Sequence, residues 1–184
     1  MQKDNLPLVS IVTLTWNTTD ITCDFLRSIN EHCTYNNLEI IIVDNGSKDD
    51  PTGVFKSIRP DVKVILNGKN LGFTGGNNVG IKAATGDYLF IVNNDTEFTP
   101  GLIEGLLEIF NKYPDAGIVS PKFHYFFHKG TLEYAGYNTV NIFTGRNAMV
   151  GCKEKDEGQY NEIKETNYAH GGGMMVPKKV IEEV

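Results

Sequence analysis

Short apolar runs, rich in β-branched residues, alternate with helical patterns through the first 120 residues, and three of these runs break off directly into polar clusters. Leu8–Leu14 (LVSIVTL) ends in Thr15-Trp16-Asn17, Leu38–Val43 in Asp44-Asn45-Gly46-Ser47, and Asp87–Val92 in Asn93-Asn94-Asp95-Thr96. Val62–Leu66 makes a further strand. Runs this apolar are expected of strands covered on both faces. Strands interleaved with helices imply a mainly parallel central sheet in a three-layer α/β/α arrangement. In such a sheet ligands bind beyond the carboxyl ends of the strands. Three polar clusters converging on that edge therefore predict a ligand site there.

The helical segments carry their own signals. Residues 20–32 keep Ile21, Phe25, Leu26 and Ile29 on one face, with Thr19 or Asp20 placed to cap the start. A short helix follows Pro51, and another is expected near 76–84. Thr99-Pro100 reads as a cap followed by a first-turn proline. Leu102, Ile103, Leu106, Leu107 and Phe110 form the buried stripe of the helix it opens. Ala116–Ser120 reads as a strand, and residues 122–150, aromatic and Gly-rich, as strands or a hairpin. Residues 153–165 are charged and expected to be an exposed loop, and Pro177 opens a helix.

Composition narrows the function. Among 184 residues, 17 Lys+Arg against 23 Asp+Glu give a net charge of −6. With no basic run, nucleic acid is not an expected partner. The apolar runs are strand-sized, so no transmembrane segment is expected. The polar start Met1–Asn5 shows no secretory signal. Three cysteines suit neither a disulfide framework nor a zinc site. The expected location is cytoplasmic, or peripheral at the inner membrane face.

Asn93-Asn94-Asp95 is the sharpest chemical signal, because a buried run drives straight into three oxygen-bearing side chains. A hard divalent cation such as Mg²⁺ or Mn²⁺ takes one or two carboxylates and completes its shell with substrate phosphates. Asp95 suits that carboxylate, with Asn94 placed to hydrogen-bond a sugar or phosphate; the competing reading is a plain Asx turn. Leu71–Asn78 is a Gly-rich loop running into a helix, which suits either an approaching anion or a tight structural turn. His32, His124 and His128 show no ligand spacing. His170 precedes Gly171-Gly172-Gly173, where missing side chains would let a substrate reach the backbone. Trp16 reads as a core or strand-edge residue.

Taken together, Ser10–Asn17, Ile42–Ser47, Asn70–Asn78 and Asn93–Thr96 resemble glycosyltransferase family 2, most closely its rhamnosyltransferase-like branch. Pro100-Gly101, Ser120-Pro121-Lys122, Ala135-Gly136 and His170–Lys179 continue the match. The resemblance implies a single GT-A domain, with a donor half over about residues 8–120 and the start of an acceptor half over about 121–184. It implies inverting transfer of a sugar from a dTDP- or UDP-sugar to a glycan or lipid-linked acceptor in polysaccharide biosynthesis. Thr15, Asn17, Asp44, Asn45, Gly72, Asn78 and Asn94 match the nucleotide pocket, Asp95 the metal element, and His170, Gly171 and Gly172 the acceptor wall. The family's catalytic base lies in an acidic segment expected beyond Val184, so no base is assigned. Apolar surface left uncovered by that segment makes a homodimer an expectation.

The competing readings are a nucleotide-sugar binding module without turnover and a dinucleotide-dependent oxidoreductase. The latter lacks its Gly-rich fingerprint between the first strand and helix. A nucleotidyltransferase lacks its signature near the first strand in the same way.

Overall fold

A computed structural model describes residues 6–183; the polar start Met1–Asn5 and Val184 lie outside the described residues. The apolar runs form β1 (Val9–Thr15), β2 (Leu38–Asp44), β3 (Lys63–Leu66) and β4 (Tyr88–Val92). These pair in the order β3-β2-β1-β4, all parallel, and an antiparallel strand β7 (Gly173–Pro177) closes the far edge against β4. Alternate residues of each central strand are buried on opposite faces. Ile11, Ile42 and Phe90 pack under α1 (Thr19–His32), α2 (Thr52–Ile58) and α4 (Leu102–Lys112), through Phe25, Leu26, Phe55, Ile103 and Phe110. Val12, Ile41, Val43 and Leu89 face Val79, Ile81 and Ala83 of α3 (Gly72–Ala83) and Ile181 of α5 (Lys178–Glu182). The result is the expected α/β/α layering.

Close approach of α3 explains why its sequence is so rich in glycine. A Cβ on Gly80 would lie 2.4 Å from Val12 Cγ1 and 3.0 Å from Val43 Cγ2, and one on Gly76 would lie 2.9 Å from Leu14 Cδ2. The helix can therefore rest directly on β1 and β2. It begins at Gly72, four residues earlier than its periodicity suggests.

Several local expectations are corrected. Ile21 is exposed, and the buried face of α1 carries Thr22 and Cys23 beside Phe25, Leu26 and Ile29. The residue before α1 is Thr18, so neither Thr19 nor Asp20 holds the cap position. α4 starts at Leu102 behind Gly101 at φ 78°, a left-handed conformation that glycine adopts freely, so Pro100 is not its first residue. Ala116–Ser120 forms no strand; Val119 makes one antiparallel bridge to Met175. Trp16 is 53% exposed at the end of β1, so it is not a core residue.

Beyond Pro121 the chain builds an antiparallel meander. β5 (Phe123–His124) pairs with β6 (Leu132–Tyr134), and bridges Thr131–Lys155, Tyr137–Met149 and Asn141–Arg146 extend it.

Candidate nucleotide-sugar site

The strand order reverses between β1 and β4, and the crevice at such a switch point is where open α/β sheets bind ligands. Register sets Thr15 beside Asp44 at the ends of β1 and β2. Asp44 is 4% exposed. Its Oδ1 accepts backbone N–H bonds from Gly46 at 3.1 Å and Ser47 at 2.9 Å. Its Oδ2 is buried with no partner among the described residues. Two other buried side-chain oxygens are unpartnered, Thr13 Oγ1 within β1 and Glu104 Oε2 on α4. Asp44 Oδ2 alone of the three ends a strand at the carboxyl edge. The opposite edge is self-satisfied: Glu39 Oε2 accepts from Ser10 Oγ and Thr85 N–H. A buried acceptor without a donor is costly, and a ligand N–H or O–H would satisfy it.

Asn17 joins the first two strand ends. It sits at φ 55°, its N–H donates to Ser47 Oγ, and its Oδ1 accepts from Lys48 N–H at 2.9 Å. A cleft of about 470 Å³ opens between the start of α1 and this loop, lined by Asn17, Thr18, Asp20, Ser47 and Lys48 among others. Neither Asp44 nor Asp95 is among the residues that line it.

Asn93-Asn94-Asp95 leaves β4 pinned on both sides. Asn93 N–H donates to Gly172 O at 3.0 Å, which brings the element against the Gly triplet before β7. Asn94 Nδ2 donates to Thr18 Oγ1 at 3.0 Å and Thr22 Oγ1 at 2.8 Å. Asp95 is exposed and has no hydrogen bond or ion pair among the described residues. No cluster of three His, Cys, Asp or Glu able to hold a metal occurs among the described residues. One free carboxylate, next in sequence to a carboxamide, is a hard, incomplete donor set. It fits a Mg²⁺ or Mn²⁺ that draws its remaining ligands from diphosphate and water.

Other expected site residues are placed differently. Asn45 is buried and its amide is fully used inside the protein. Nδ2 donates to Asn70 Oδ1 and Gly72 O, and Oδ1 accepts from Asn67 Nδ2 and Leu71 N–H. Gly72, at φ 72°, donates its N–H to Asn70 Oδ1. Both residues tie β2 to the start of α3 and offer a ligand nothing free. Asn78 is exposed on α3 without a hydrogen bond to the cluster; the buried amide of the pair is Asn77, whose Nδ2 donates to Phe73 O.

Before β7 the glycines hold packing space. A Cβ on Gly172 would lie 2.8 Å from His170 Nδ1, and one on Gly173 would lie 2.8 Å from Phe123 Cζ; only Gly171 of the triplet is open. The space expected for substrate at Gly172 is filled by the His170 ring. That ring packs 4.9 Å from Phe123 and 4.7 Å from Tyr134, and its Nδ1 accepts from Gly172 N–H.

Sequence reasoning missed two groups. Thr18, at the cap of α1, and Thr22, in its first turn, meet Asn94 and stand four residues apart, a spacing that could have flagged them. Lys122, His124 and Asp156 form an ion cluster, with Asp156 Oδ2 at 2.6 Å from Lys122 Nζ and 2.7 Å from His124 Nε2. The Lys122 ammonium, the Gly158 N–H and His124 together hold the Asp156 carboxyl far below its usual range. No local signal links positions so far apart in the chain.

Comparison with known proteins fits this geometry. An uncharacterised glycosyltransferase of Rickettsia prowazekii is 31% identical over 191 residues, covering 99% of this chain and 54% of its own length. YwdF of Bacillus subtilis, an uncharacterised glycosyltransferase, is 36% identical over 119 residues, covering 61% of this chain and 43% of its own length. The chain thus spans about half the length of these relatives or less. Among solved structures, the mannosyltransferase PcManGT from Pyrobaculum calidifontis, in complex with GDP-Man and Mn²⁺, superposes with a TM-score of 0.66 at 18% identity. That match covers 98% of this chain and 47% of that one. S. aureus TarS 1-349 in complex with UDP-GlcNAc gives a TM-score of 0.57 at 20% identity, over 64% of this chain and 34% of that one. The Glycosyl transferase family 2 domain matches residues 10–184, and the chain belongs to that family.

Proposed function

We propose that this chain binds a pyrimidine nucleotide-diphosphate sugar, dTDP- or UDP-linked, for inverting transfer to a glycan or lipid-linked acceptor in polysaccharide biosynthesis. The rhamnosyltransferase-like motifs favour that branch. The observation that carries the reading is Asp44 Oδ2, a buried acceptor without a donor at the carboxyl end of a central strand. A pyrimidine N3–H or a ribose hydroxyl would supply the missing bond. Thr15 and Asn17 form the adjoining wall. Asn94 directs its amide nitrogen at Thr18 and Thr22, which leaves its oxygen without a partner among the described residues. Mn²⁺ or Mg²⁺ held there would supply Lewis-acid neutralisation of the leaving diphosphate. Gly171, the open glycine, and His170 border the acceptor side.

A cytoplasmic enzyme working at the inner membrane face suits a lipid-linked acceptor, and no helix among the described residues is long and apolar enough to cross a membrane. The alternative is a binding module without turnover. The deciding experiment is calorimetric titration of the chain with UDP-, dTDP- and GDP-sugars, with and without Mn²⁺, followed by a transfer assay. Mn²⁺-enhanced binding of a pyrimidine donor is expected. No binding of any donor would refute the proposal, and binding without transfer would establish the alternative.

A further inference from the structure

We propose that Thr22, together with Thr18, is a positioning residue for donor binding. The two hydroxyls fix the Asn94 carboxamide so that its oxygen, not its nitrogen, stands beside Asp95 facing the donor. The inference rests on the donor reading of Asn94 and Asp95 given above.

Hydrogen-bond arithmetic carries it. A carboxamide nitrogen has two protons, and Asn94 directs both at α1, to Thr18 Oγ1 and Thr22 Oγ1. The single Thr22 hydroxyl proton is directed inward, at Thr15 Oγ1 (2.9 Å) and Thr18 O (3.0 Å). Its lone pairs are therefore what Asn94 meets. The donor end of the amide fits there, and the oxygen, opposite it across the amide plane, is turned away from α1. Asn94 Oδ1 has no hydrogen-bond partner among the described residues.

Two oddities of α1 point the same way. Thr18 occupies the N-cap position, where a threonine oxygen ordinarily accepts a helix N–H, yet it makes no such cap bond. That oxygen accepts from Asn94 instead. Thr22 is fully buried, on a helix face it shares with Cys23, Phe25, Leu26, Ser28 and Ile29. Its hydroxyl is the group that Asn94 meets. The chain Thr15–Thr22–Asn94 thus couples the end of β1 to the end of β4 across the crevice.

The test compares Thr22→Val, Thr22→Ser, Asn94→Ala and the double variant Thr22→Val/Asn94→Ala with the parent chain. Each is titrated with UDP, dTDP and GDP in Mn²⁺, and cooperative thermal unfolding verifies the fold. Residues that orient a metal-site ligand are typically worth 10–100-fold in affinity, so Thr22→Val should weaken the tightest nucleotide by roughly tenfold and Thr22→Ser by no more than about twofold. If Thr22 acts through Asn94, Thr22→Val should add nothing in the Asn94→Ala background. Unchanged affinity in Thr22→Val, failure of Thr22→Ser to restore binding, or an undiminished loss in the Asn94→Ala background would each overturn the proposal. If Thr22→Val loses cooperative unfolding, Thr18→Val and Thr18→Ser give the same comparison. A parent chain that binds no nucleotide would overturn the proposed function and this inference with it, whereas a binding parent indifferent to Thr22 overturns the inference alone.

Discussion

At the scale of single residues, the two carboxylates of the site differ in how much the protein has already done for them. Asp44 is held rigidly, because the N–H groups of Gly46 and Ser47 both point at Oδ1. In Asp44→Asn those donors would keep the amide oxygen in the Oδ1 position and force the NH₂ group to where Oδ2 was. A donor would then face the ligand's donor. Leaving such a pair unmade costs about 1–3 kcal/mol, so calorimetry should show pyrimidine nucleotide binding weakened by about tenfold or more. Unchanged affinity would make Asp44 a turn residue only. Asp95 is exposed and unpaired, so its removal should leave stability untouched. Asp95→Ala is expected to lose Mn²⁺-dependent tightening of nucleotide binding while unfolding at the parent's temperature. Residual Mn²⁺ dependence of parental size would place the metal elsewhere. Both carboxylates were legible in the sequence as polar ends of apolar strands. That Asn45, next to Asp44, is spent on Asn67, Asn70, Leu71 and Gly72 was not, since a strand-end amide looks alike whether it faces a ligand or a loop.

At the scale of elements, α3 and the meander show where reading a sequence succeeds and where it stops. Gly76 and Gly80 stand one helical turn apart, and the structure puts both on the sheet. Gly80→Ala would drive a methyl to 2.4 Å from Val12 Cγ1 and 3.0 Å from Val43 Cγ2. Overpacking of this kind costs about 1–3 kcal/mol. Gly105, inside α4, has nothing within 4 Å of its would-be Cβ. Gly105→Ala should instead gain about 0.5–1 kcal/mol from helix propensity. Denaturant unfolding of the pair tests whether close packing, not sequence simplicity, explains the glycines; stabilisation by both would refute it.

Strands β1, β2 and β4 were readable because each is a continuous buried run. The Ala116–Ser120 segment was misread because apolar content alone does not show that only Val119 finds a bridging partner. The meander's clamp was invisible, since Lys122 and Asp156 come together only in the fold. Its pH behaviour follows from the direction of the Asp156 shift. The folded carboxyl lies far below the ordinary aspartate range, so the clamp contributes fully above about pH 4 and loses its contribution as the pH falls toward the folded value. Asp156→Asn should therefore be less stable than the parent at neutral pH, and the difference should shrink in acid. Acid titrations of both chains followed by circular dichroism provide the check; a difference that grows in acid would reverse the sign and the explanation.

At the scale of the whole molecule, charge and apolar surface are unevenly spread. Between Ala116 and Val150 there is one acidic residue, Glu133, against Lys122, Lys129 and Arg146, in a chain of net charge −6. The same segment carries Phe127, Ile142 and Phe143 at 88%, 86% and 91% exposure, with Phe126 beside them at 63%. They occupy two turns: Phe126 and Phe127 between β5 and β6, and Ile142 and Phe143 in the turn closed by the Asn141–Arg146 bridge. The second turn is firmly built, with Asn141 Oδ1 accepting from the N–H groups of Phe143 and Thr144. Such apolar tips favour self-association, and its strength can be bounded. A contact burying one tip from each of two copies would hide four large side chains, about 8 kcal/mol at roughly 2 kcal/mol each. Association itself costs about 4–15 kcal/mol, so any surplus is at most about 4 kcal/mol and any dimer weak. Sedimentation velocity should show a monomer at about micromolar concentration and reversible dimers only toward about millimolar, where a balance of roughly −4 kcal/mol becomes visible. Phe127→Ser with Phe143→Ser should abolish the dimers and leave nucleotide binding intact, because neither residue contacts the strand ends. A tight dimer at micromolar concentration, or dimers that survive both substitutions, would put the contact on another surface.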